Sequence, residues 1–360
     1  MRVTAVTVLP VLMPSPAGGW PGSVHCALAL VDTEDGLQGI GLCVTSRPRL
    51  FRSLVTAIEE LGGVLVGLDA SAPERVHAAL TEAGAFFGPG GVLAMAVSAL
   101  DTAVWDLLGK NARLPLWQLL GGAADRVRVY DSGPPGSPLL DVDELQQAAA
   151  ASVSAGHRAL KVRPGPARDR GVAALVARIA AVREAAGPGT GLILDVNQGW
   201  SPAESMRMLR ALEEFELLWV EDPIKMDDVA GQAEVAAAVA TPVCGGEYHA
   251  GPAALLRLIR ERAADIVMVD LMRVGGITPF RWVAGAAAAA GIPLVSHLFP
   301  EVFAPLIAAW PNGYMVEQLP WSAALFEEVP AVTDGYLQLG AEPGLGLRVD
   351  RGFAERHRAW

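Results

Sequence analysis

Three acidic residues, each closing an apolar run typical of a strand, are the clearest chemical signal in the sequence. Asp195 ends GLILD, Glu221 ends LLWVE and Glu247 ends TPVCGGE, with 26 residues from each acid to the next. That interval fits one strand, loop and helix, and right-handed crossovers bring the C-terminal ends of such strands to one side. Buried carboxylates that converge need a cation or protons. Oxygen ligands without histidine or cysteine favour Mg²⁺, with Mn²⁺ as the alternative.

The same spacing continues into a second pair of residues that could perform acid-base chemistry. Asp270 ends DIVMVD and His297 ends PLVSH, so both are placed at the ends of the next two strands. A carboxylate bonded to one ring nitrogen of histidine fixes the tautomer and raises the basicity of the other nitrogen. The pair therefore predicts a general base beside the cation.

The elements that must position these residues form a regular series. Residues 25–44 read as a hairpin that turns at Gly36, residues 49–120 are helical in pattern, and Gly121-Gly122 interrupts the chain. Eight strand candidates then alternate with helices, which favours a closed barrel over an open doubly wound sheet. They are VRVYDS, ALKVRPG, GLILDVN, LLWVEDP, TPVCGGE, IVMVDLM, PLVSHLF and YMVEQL. The active site would lie at the C-terminal ends of these strands.

Composition limits the class of protein. The chain has 360 residues, of which 52% are hydrophobic and 19% charged, so it can bury a large core. A net charge of −11 argues against a general nucleic-acid surface. Three cysteines far apart indicate a reducing cytoplasm rather than a disulfide framework. The apolar start, residues 1–13, is expected to be a strand rather than a signal peptide, and no uninterrupted apolar stretch of membrane-spanning length is expected.

As an ordered set, several motifs resemble the enolase superfamily, and within it the mandelate racemase subgroup of the mandelate racemase/muconate lactonizing enzyme family. They are ALDTAVWDLLGK, LPLWQLLGG, KVR, DVNQGW, VEDP, GGE, VDLMRVGGIT and SHLF. The resemblance implies an α/β fold, a (β/α)₇β TIM-like barrel with an α+β capping domain built from both termini. It also implies an essential Mg²⁺, a small-molecule carboxylate substrate, proton abstraction next to that carboxylate through an enediolate, and a homo-oligomer.

With this fold, we expect a capping domain over residues 1–122, a catalytic barrel over 123–320 and a C-terminal segment, 321–360, that packs on the capping domain. By the same resemblance, His297 and Asp270 are the catalytic dyad, and the carboxylates of Asp195, Glu221 and Glu247 hold the metal.

One position departs from the family pattern. The usual motif is Lys-x-Lys, with the second lysine as the base opposite the histidine, whereas this chain has Lys161-Val162-Arg163. A guanidinium stays protonated at neutral pH and is a poor base. Racemisation needs a base on each face of the substrate carbon, while elimination needs only the dyad. We therefore expect dehydration of an acid sugar, with a racemase, epimerase or cycloisomerase as the alternative and a non-catalytic binding barrel as a third hypothesis. Either reaction also allows Arg163 to bind the substrate carboxylate or to form a barrel ion pair.

Further roles follow from the resemblance. Lys161 is expected to face the substrate carboxylate as an electrophile, and Glu317 to be a protonated hydrogen-bond donor to the enediolate. Asn197, two residues beyond Asp195, is expected to face inward and hold the α-hydroxyl, and Ser132 to contact the carboxylate.

Substrate identity is expected to depend on the capping loop, residues 13–23. Its Gly and Pro content suggests a lid, and Trp20 would close an apolar wall over the substrate. His25 and Arg47 would instead contact a distal polar group. The two sets of residues favour different substrates, and the sequence leaves both open.

Overall fold

The N-terminal part of the computed structural model is a three-stranded antiparallel sheet; the structure describes residues 1–14, 23–46, 48–165, 170–319 and 321–360. The strands β1 (Val3–Met13), β2 (Val24–Thr33) and β3 (Gln38–Thr45) pair in that order. The turn between β2 and β3 contains Gly36 at φ +78°, a backbone conformation that glycine adopts without strain. The hairpin predicted from the sequence is confirmed.

Helices cover one face of this sheet: α1 (Phe51–Leu65), α2 (Pro73–Gly84), α3 (Gly91–Ala112) and the short α4 (Leu116–Leu119). Strand β3 packs closely on α3, because a side chain at Gly41 would collide with the backbone carbonyl of Ala99. By length and composition, α3 could span a membrane, although no apolar stretch of that length was expected from the sequence. However, 67% of its apolar window is buried inside the protein, as in a core helix.

Eight parallel strands follow and close into a barrel, because the last strand pairs with the first. They are β4 (Arg126–Asp131), β5 (Ala159–Val162), β6 (Gly191–Asp195), β7 (Trp219–Glu221), β8 (Val243–Gly245), β9 (Ile266–Asp270), β10 (Leu294–His297) and β11 (Gly313–Gln318). Both faces of most of these strands are buried, which explains why they read as continuous apolar runs. All eight coincide with a predicted strand, and the predicted barrel is confirmed.

The barrel helices pack outside the strands, and seven strand-helix units precede β11. They are α5 (Val142–Ser154), α6 (Val172–Ala186), α7 (Pro202–Ala211), α8 (Val229–Ala238), α9 (Gly251–Arg260), the pair α10 (Leu271–Val274) and α11 (Ile277–Ala289), and α12 (Pro300–Ala308). N-terminal capping residues explain where several of these helices begin. Asp141 and Ser201, for example, each form a capping box with the glutamate three residues later.

The C-terminal segment contains β12 (Val332–Thr333), β13 (Tyr336–Gln338) and α13 (Arg351–Arg356). It contacts the N-terminal part, since Leu345 donates its backbone N–H to Asp106 Oδ1 at 2.8 Å. It also adds to the barrel sheet, because β13 pairs antiparallel with β4. The segment thus bridges both parts of the molecule, and the domain limits given above stay predictions.

Candidate active site

The predicted chemical residues lie on one rim of the barrel. Strand pairing sets Asp195 beside Glu221 and Asp270 beside His297, and Glu247 lies two residues beyond the end of β8. The four carboxylates are at most 5% exposed. Because parallel strands end at one side, five residues distant in sequence become neighbours.

A cavity of about 380 Å³ opens onto this rim. Its polar lining includes Arg163, Asn197, Glu247, Tyr248, Arg273, His297 and Glu317, and its apolar lining includes Met95, Met272, Leu298, Leu319 and Trp321. The cavity therefore offers a charged end and an apolar wall to a small molecule.

Two cations from strand β5 contact the predicted metal ligands directly. Lys161 Nζ lies 2.8 Å from Glu221 Oε1 and 3.7 Å from Asp195 Oδ2. Arg163 Nη2 lies 2.6 Å from Asp195 Oδ2. Lys161 is 1% exposed and does not itself line the cavity described above. Its predicted contact with substrate thus stays a prediction, while its observed contacts are with carboxylates.

Carboxylates outnumber cations in this buried cluster. The six carboxyl groups are Asp195, Glu221, Asp222, Glu247, Asp270 and Glu317, and the groups that can oppose them are Lys161, Arg163, Arg273 and His297. Burial raises the pKa of Glu221 to about 8 even though Lys161 opposes that shift. Burial likewise raises the pKa of Asp222 well above its usual range. Excess buried negative charge favours a bound divalent cation.

The predicted ligands fit such a cation in chemistry, since all three donors are hard carboxylate oxygens on neighbouring strand ends. Within the described ranges, no three or more histidine, cysteine or acidic side chains already converge as a metal site. The reason is visible in the ion pairs, because Asp195 and Glu221 turn toward Arg163 and Lys161. Cation binding would therefore require these side chains to rearrange.

The histidine and aspartate form the predicted hydrogen bond. His297 Nδ1 lies 2.6 Å from Asp270 Oδ2, and His297 Nε2 lies 3.4 Å from Glu247 Oε2. Burial would lower the pKa of His297, but Glu247 and the bond to Asp270 raise it to about 9. A nitrogen that is oriented by a carboxylate and faces a cavity has the geometry of a general acid-base group.

The contacts of Glu317 bear on the protonation state that the resemblance implied. It is 1% exposed, as expected, but its Oε1 lies 2.6 Å from Lys161 Nζ and its Oε2 accepts the Leu298 N–H at 2.7 Å. Burial would raise the pKa of Glu317, yet Lys161, and then His297, lower it to about 2. These contacts favour an ionised Glu317, because its neighbours are cations as well as acids, and the protonated donor that the resemblance implies stays a prediction.

The polar lining of the cavity includes two side chains, Tyr248 and Arg273, that the sequence analysis did not single out. Asn197 Nδ2 donates to the hydroxyl of Tyr248 at 2.6 Å, and the Arg273 guanidinium lies 4.9 Å from the Tyr248 ring centre. Arg273 Nη1 donates to the Glu247 backbone carbonyl at 2.7 Å and lies 3.2 Å from Asp270 Oδ2. Both follow a predicted site residue, Tyr248 by one position and Arg273 by three, which is the signal that could have identified them.

The side chain of Asn197 belongs to the polar lining, but its orientation comes from a different backbone conformation than the one predicted. Strand β6 ends at Asp195, and Asn197 has φ +51° with its N–H bonded to Asp195 Oδ1 at 2.9 Å. A tight turn, rather than strand alternation, therefore directs its side chain.

The remaining predicted substrate contacts are not brought into the cavity. Ser132 is fully buried, and its hydroxyl has no hydrogen-bond partner within the described part of the chain. His25 packs its ring against Phe51, with 5.1 Å between ring centres. Neither Ser132 nor His25 belongs to the cavity lining given by the described residues, and their predicted roles stay predictions. Trp20 and Arg47 lie outside the described residues.

Comparison with known families matches nearly the whole chain. The model of the mandelate racemase / muconate lactonizing enzyme N-terminal domain matches residues 5–121. The model described as enolase C-terminal domain-like matches residues 144–353.

Different relatives are named for different reactions. L-talarate/galactarate dehydratase of Salmonella typhimurium is 32% identical over 94% of this chain and 82% of its own length. A 3,6-anhydro-alpha-L-galactonate cycloisomerase of Streptomyces coelicolor is 31% identical over 89% of this chain and 88% of its own. Among solved structures, L-talarate dehydratase from Polaromonas sp. JS666 complexed with Mg and L-glucarate superposes with a TM-score of 0.92 at 34% identity, covering 100% of this chain and 98% of that one.

Proposed function

The chain belongs to the mandelate racemase/muconate lactonizing enzyme family of the enolase superfamily, and we propose that within it this enzyme is a Mg²⁺-dependent acid-sugar dehydratase. Enzymatic activity of the lyase or isomerase class is supported by dehydratase, epimerase and cycloisomerase relatives. The observation that carries the choice of dehydration is the cavity lining: among its described residues, His297 with Asp270 is the one acid-base dyad, and a guanidinium, Arg163, stands where the family pattern has a second base.

The metal would be held by the carboxylates of Asp195, Glu221 and Glu247. When bound, a divalent cation would neutralise the charge that develops on the substrate carboxylate as it becomes an enediolate. Solved relatives are complexed with Mg, which supports Mg²⁺ as the metal. Lys161 would keep Glu317 ionised through its 2.6 Å contact, and its 2.8 Å contact with Glu221 would favour the charged form of that carboxyl against the effect of burial.

The first chemical step would be removal of the α-proton by His297 Nε2, which must be unprotonated to accept it. Glu247 raises the pKa of His297, and a cation bound at Glu247 would offset that effect. Asp270 holds the other ring nitrogen at 2.6 Å, which keeps Nε2 facing the cavity and stabilises the imidazolium that forms. The electron pair of the broken C–H bond moves into the substrate carboxylate and produces the enediolate.

The second step would use the same residue. The imidazolium returns its proton to the β-hydroxyl, which leaves as water as the enediolate electrons form a carbon-carbon double bond. The enol then tautomerises to a 2-keto-3-deoxy acid. No second base is required. Asp195 and Glu221 raise the pKa of Arg163, although burial acts in the opposite direction, so Arg163 is suited to binding an anion rather than accepting a proton.

The test is incubation of the purified protein with Mg²⁺ in D₂O against aldarates, aldonates and aryl or alkyl 2-hydroxy acids. We expect a 2-keto-3-deoxy acid from at least one acid sugar, detected by NMR. His297→Asn is the matched control, since it preserves the size of the side chain approximately but removes the base.

Other products would redirect the assignment. Deuterium at the α-carbon with inverted configuration would establish racemisation or epimerisation, and an unsaturated or cyclised acid would establish a cycloisomerase. No turnover of any compound in the library would contradict the proposal.

We further propose a cytoplasmic homo-oligomer. All three cysteines are unpaired and buried, which suits a reducing compartment. Phe86 and Phe87 are 94% and 81% exposed and lie side by side, an apolar surface of the kind that subunit contacts cover. Light scattering of the wild type and of a Phe86→Ser/Phe87→Ser variant would test this, with a monomeric wild type as the contrary result.

A further inference from the structure

We propose that Arg163 couples the binding of the divalent cation to the binding of the substrate carboxylate, so that each strengthens the other. This inference rests on the proposed function, since it concerns the same metal ligands and the same substrate. It arises from the arginine at a position where the family pattern has lysine.

Arg163 and a divalent cation would compete for one oxygen atom. Arg163 Nε lies 2.7 Å and Nη2 2.6 Å from Asp195 Oδ2, so two donors of one guanidinium bind a single carboxylate oxygen. The second oxygen of Asp195 accepts the backbone N–H of Asn197 at 2.9 Å. A cation that uses Oδ2 must therefore displace the guanidinium, or accept its repulsion at close range.

The guanidinium has another place to bind. Arg163 lines the cavity that contains His297, and it also lines an adjoining cavity of about 350 Å³. Its Nη1 also donates to the Gly136 carbonyl at 3.2 Å. Because the side chain borders both cavities, its rotation would move the charge from Asp195 toward a carboxylate in the main cavity. A planar guanidinium is well matched to such a carboxylate.

The two binding events then assist each other. Release of Arg163 from Asp195 by the cation makes the guanidinium available to the substrate carboxylate. Capture of Arg163 by the substrate in turn exposes Asp195 to the cation. Thermodynamic linkage requires the two effects to be equal in magnitude. Lys161 does not share this role, because Glu221 and Glu317 hold its ammonium on both sides.

The first measurement is the affinity for Mg²⁺ alone, by isothermal titration calorimetry, in wild type and Arg163→Gln. Removal of the competing charge should tighten Mg²⁺ binding about tenfold or more, which corresponds to about 1.4 kcal/mol. Arg257→Gln is the matched control. This substitution removes one positive charge from a surface ion pair between Arg257 on α9 and Glu261, the residue after that helix. It should leave the affinity for Mg²⁺ unchanged.

The second measurement tests coupling in a His297→Asn background, where turnover is blocked. L-Glucarate, the ligand of a solved relative, should tighten Mg²⁺ binding at least fivefold when Arg163 is present. The effect should be clearly smaller in the His297→Asn/Arg163→Gln variant, where only the direct attraction between the cation and the carboxylate remains. Thermal denaturation checks folding, and Arg163→Lys, which keeps the charge but not the forked donors, should bind Mg²⁺ with intermediate affinity.

Three results separate this inference from the proposed function. Equal or weaker Mg²⁺ binding by folded Arg163→Gln overturns the coupling and leaves the dehydratase proposal intact. The same holds if L-glucarate changes Mg²⁺ binding equally in His297→Asn and in His297→Asn/Arg163→Gln. Failure of every form to bind Mg²⁺ overturns both. If Arg163→Gln does not fold, Arg163→Lys decides, since an affinity no higher than that of the wild type refutes the competition.

Discussion

Replacement of Asp270 by asparagine should remove catalysis while preserving the fold. Asp270 makes three side-chain contacts: Oδ1 accepts the Arg273 N–H at 2.9 Å and caps α10, and Oδ2 faces both His297 Nδ1 and, at 3.2 Å, Arg273 Nη1. Asparagine caps helices as well as aspartate does, so the amide oxygen is expected to retain the Oδ1 position. The amide NH₂ group then faces His297.

The size of the effect follows from this geometry. Loss of a hydrogen bond to a charged group costs about 1.5–3 kcal/mol, or about one to two powers of ten in rate. In addition, an amide donor at Nδ1 forces the imidazole proton onto Nε2, the nitrogen that must accept the substrate proton. General-base catalysis contributes about 10²–10⁴-fold. We therefore expect Asp270→Asn to reduce kcat by about 10³-fold.

The assay is kcat with the best acid sugar from the library, together with the rate of deuterium incorporation at its α-carbon. Asp228→Asn is the matched control, because Asp228 caps α8 through a 2.9 Å bond from the Gly231 N–H and, within the described part of the chain, forms no hydrogen bond or ion pair with a histidine. The control should retain wild-type kcat. If Asp270→Asn retained kcat within about threefold while remaining folded, the dyad would not be the general base.

Three other outcomes are expected. Lys161→Met should lower the free energy of unfolding by about 3–5 kcal/mol in urea titrations with EDTA present, because it leaves buried carboxylates without their ammonium partner; an unchanged unfolding midpoint would contradict the ion-pair cluster. Gly41→Ala should lower the free energy of unfolding by about 1–3 kcal/mol in the same assay, because the new methyl group would overlap the Ala99 carbonyl. The control is Gly63→Ala in α1, which places its methyl group in open space and should be neutral or stabilising. Equal effects of the two substitutions would show that β3 and α3 are not tightly packed. EDTA should abolish turnover, and Mg²⁺ should restore it; turnover that survives chelation would refute the metal site.

Much of the fold was predictable because its signals are local. Each barrel strand is a short apolar run, and each polar rim residue stands at or just after the end of its run, so the sequence placed Asp195, Glu221, Asp270 and His297 correctly on the rim. The hairpin turn at Gly36 was predictable for the same reason. Asn197 shows the limit, because the strand ends at Asp195 and a left-handed turn, not strand alternation, directs the amide.

The sequence alone determined the order of the strands, their common direction and the rim on which the polar residues gather, since these depend on periodicity and on the handedness of crossovers. Only the tertiary structure decided which charges meet. Lys161 on β5 reaches past β4 to Glu317 on β11 and lowers the pKa of that carboxyl, Arg163 binds Asp195, and His25 packs against Phe51. These contacts join residues far apart in the chain, and their energies depend on distance and burial, which spacing along a sequence does not specify.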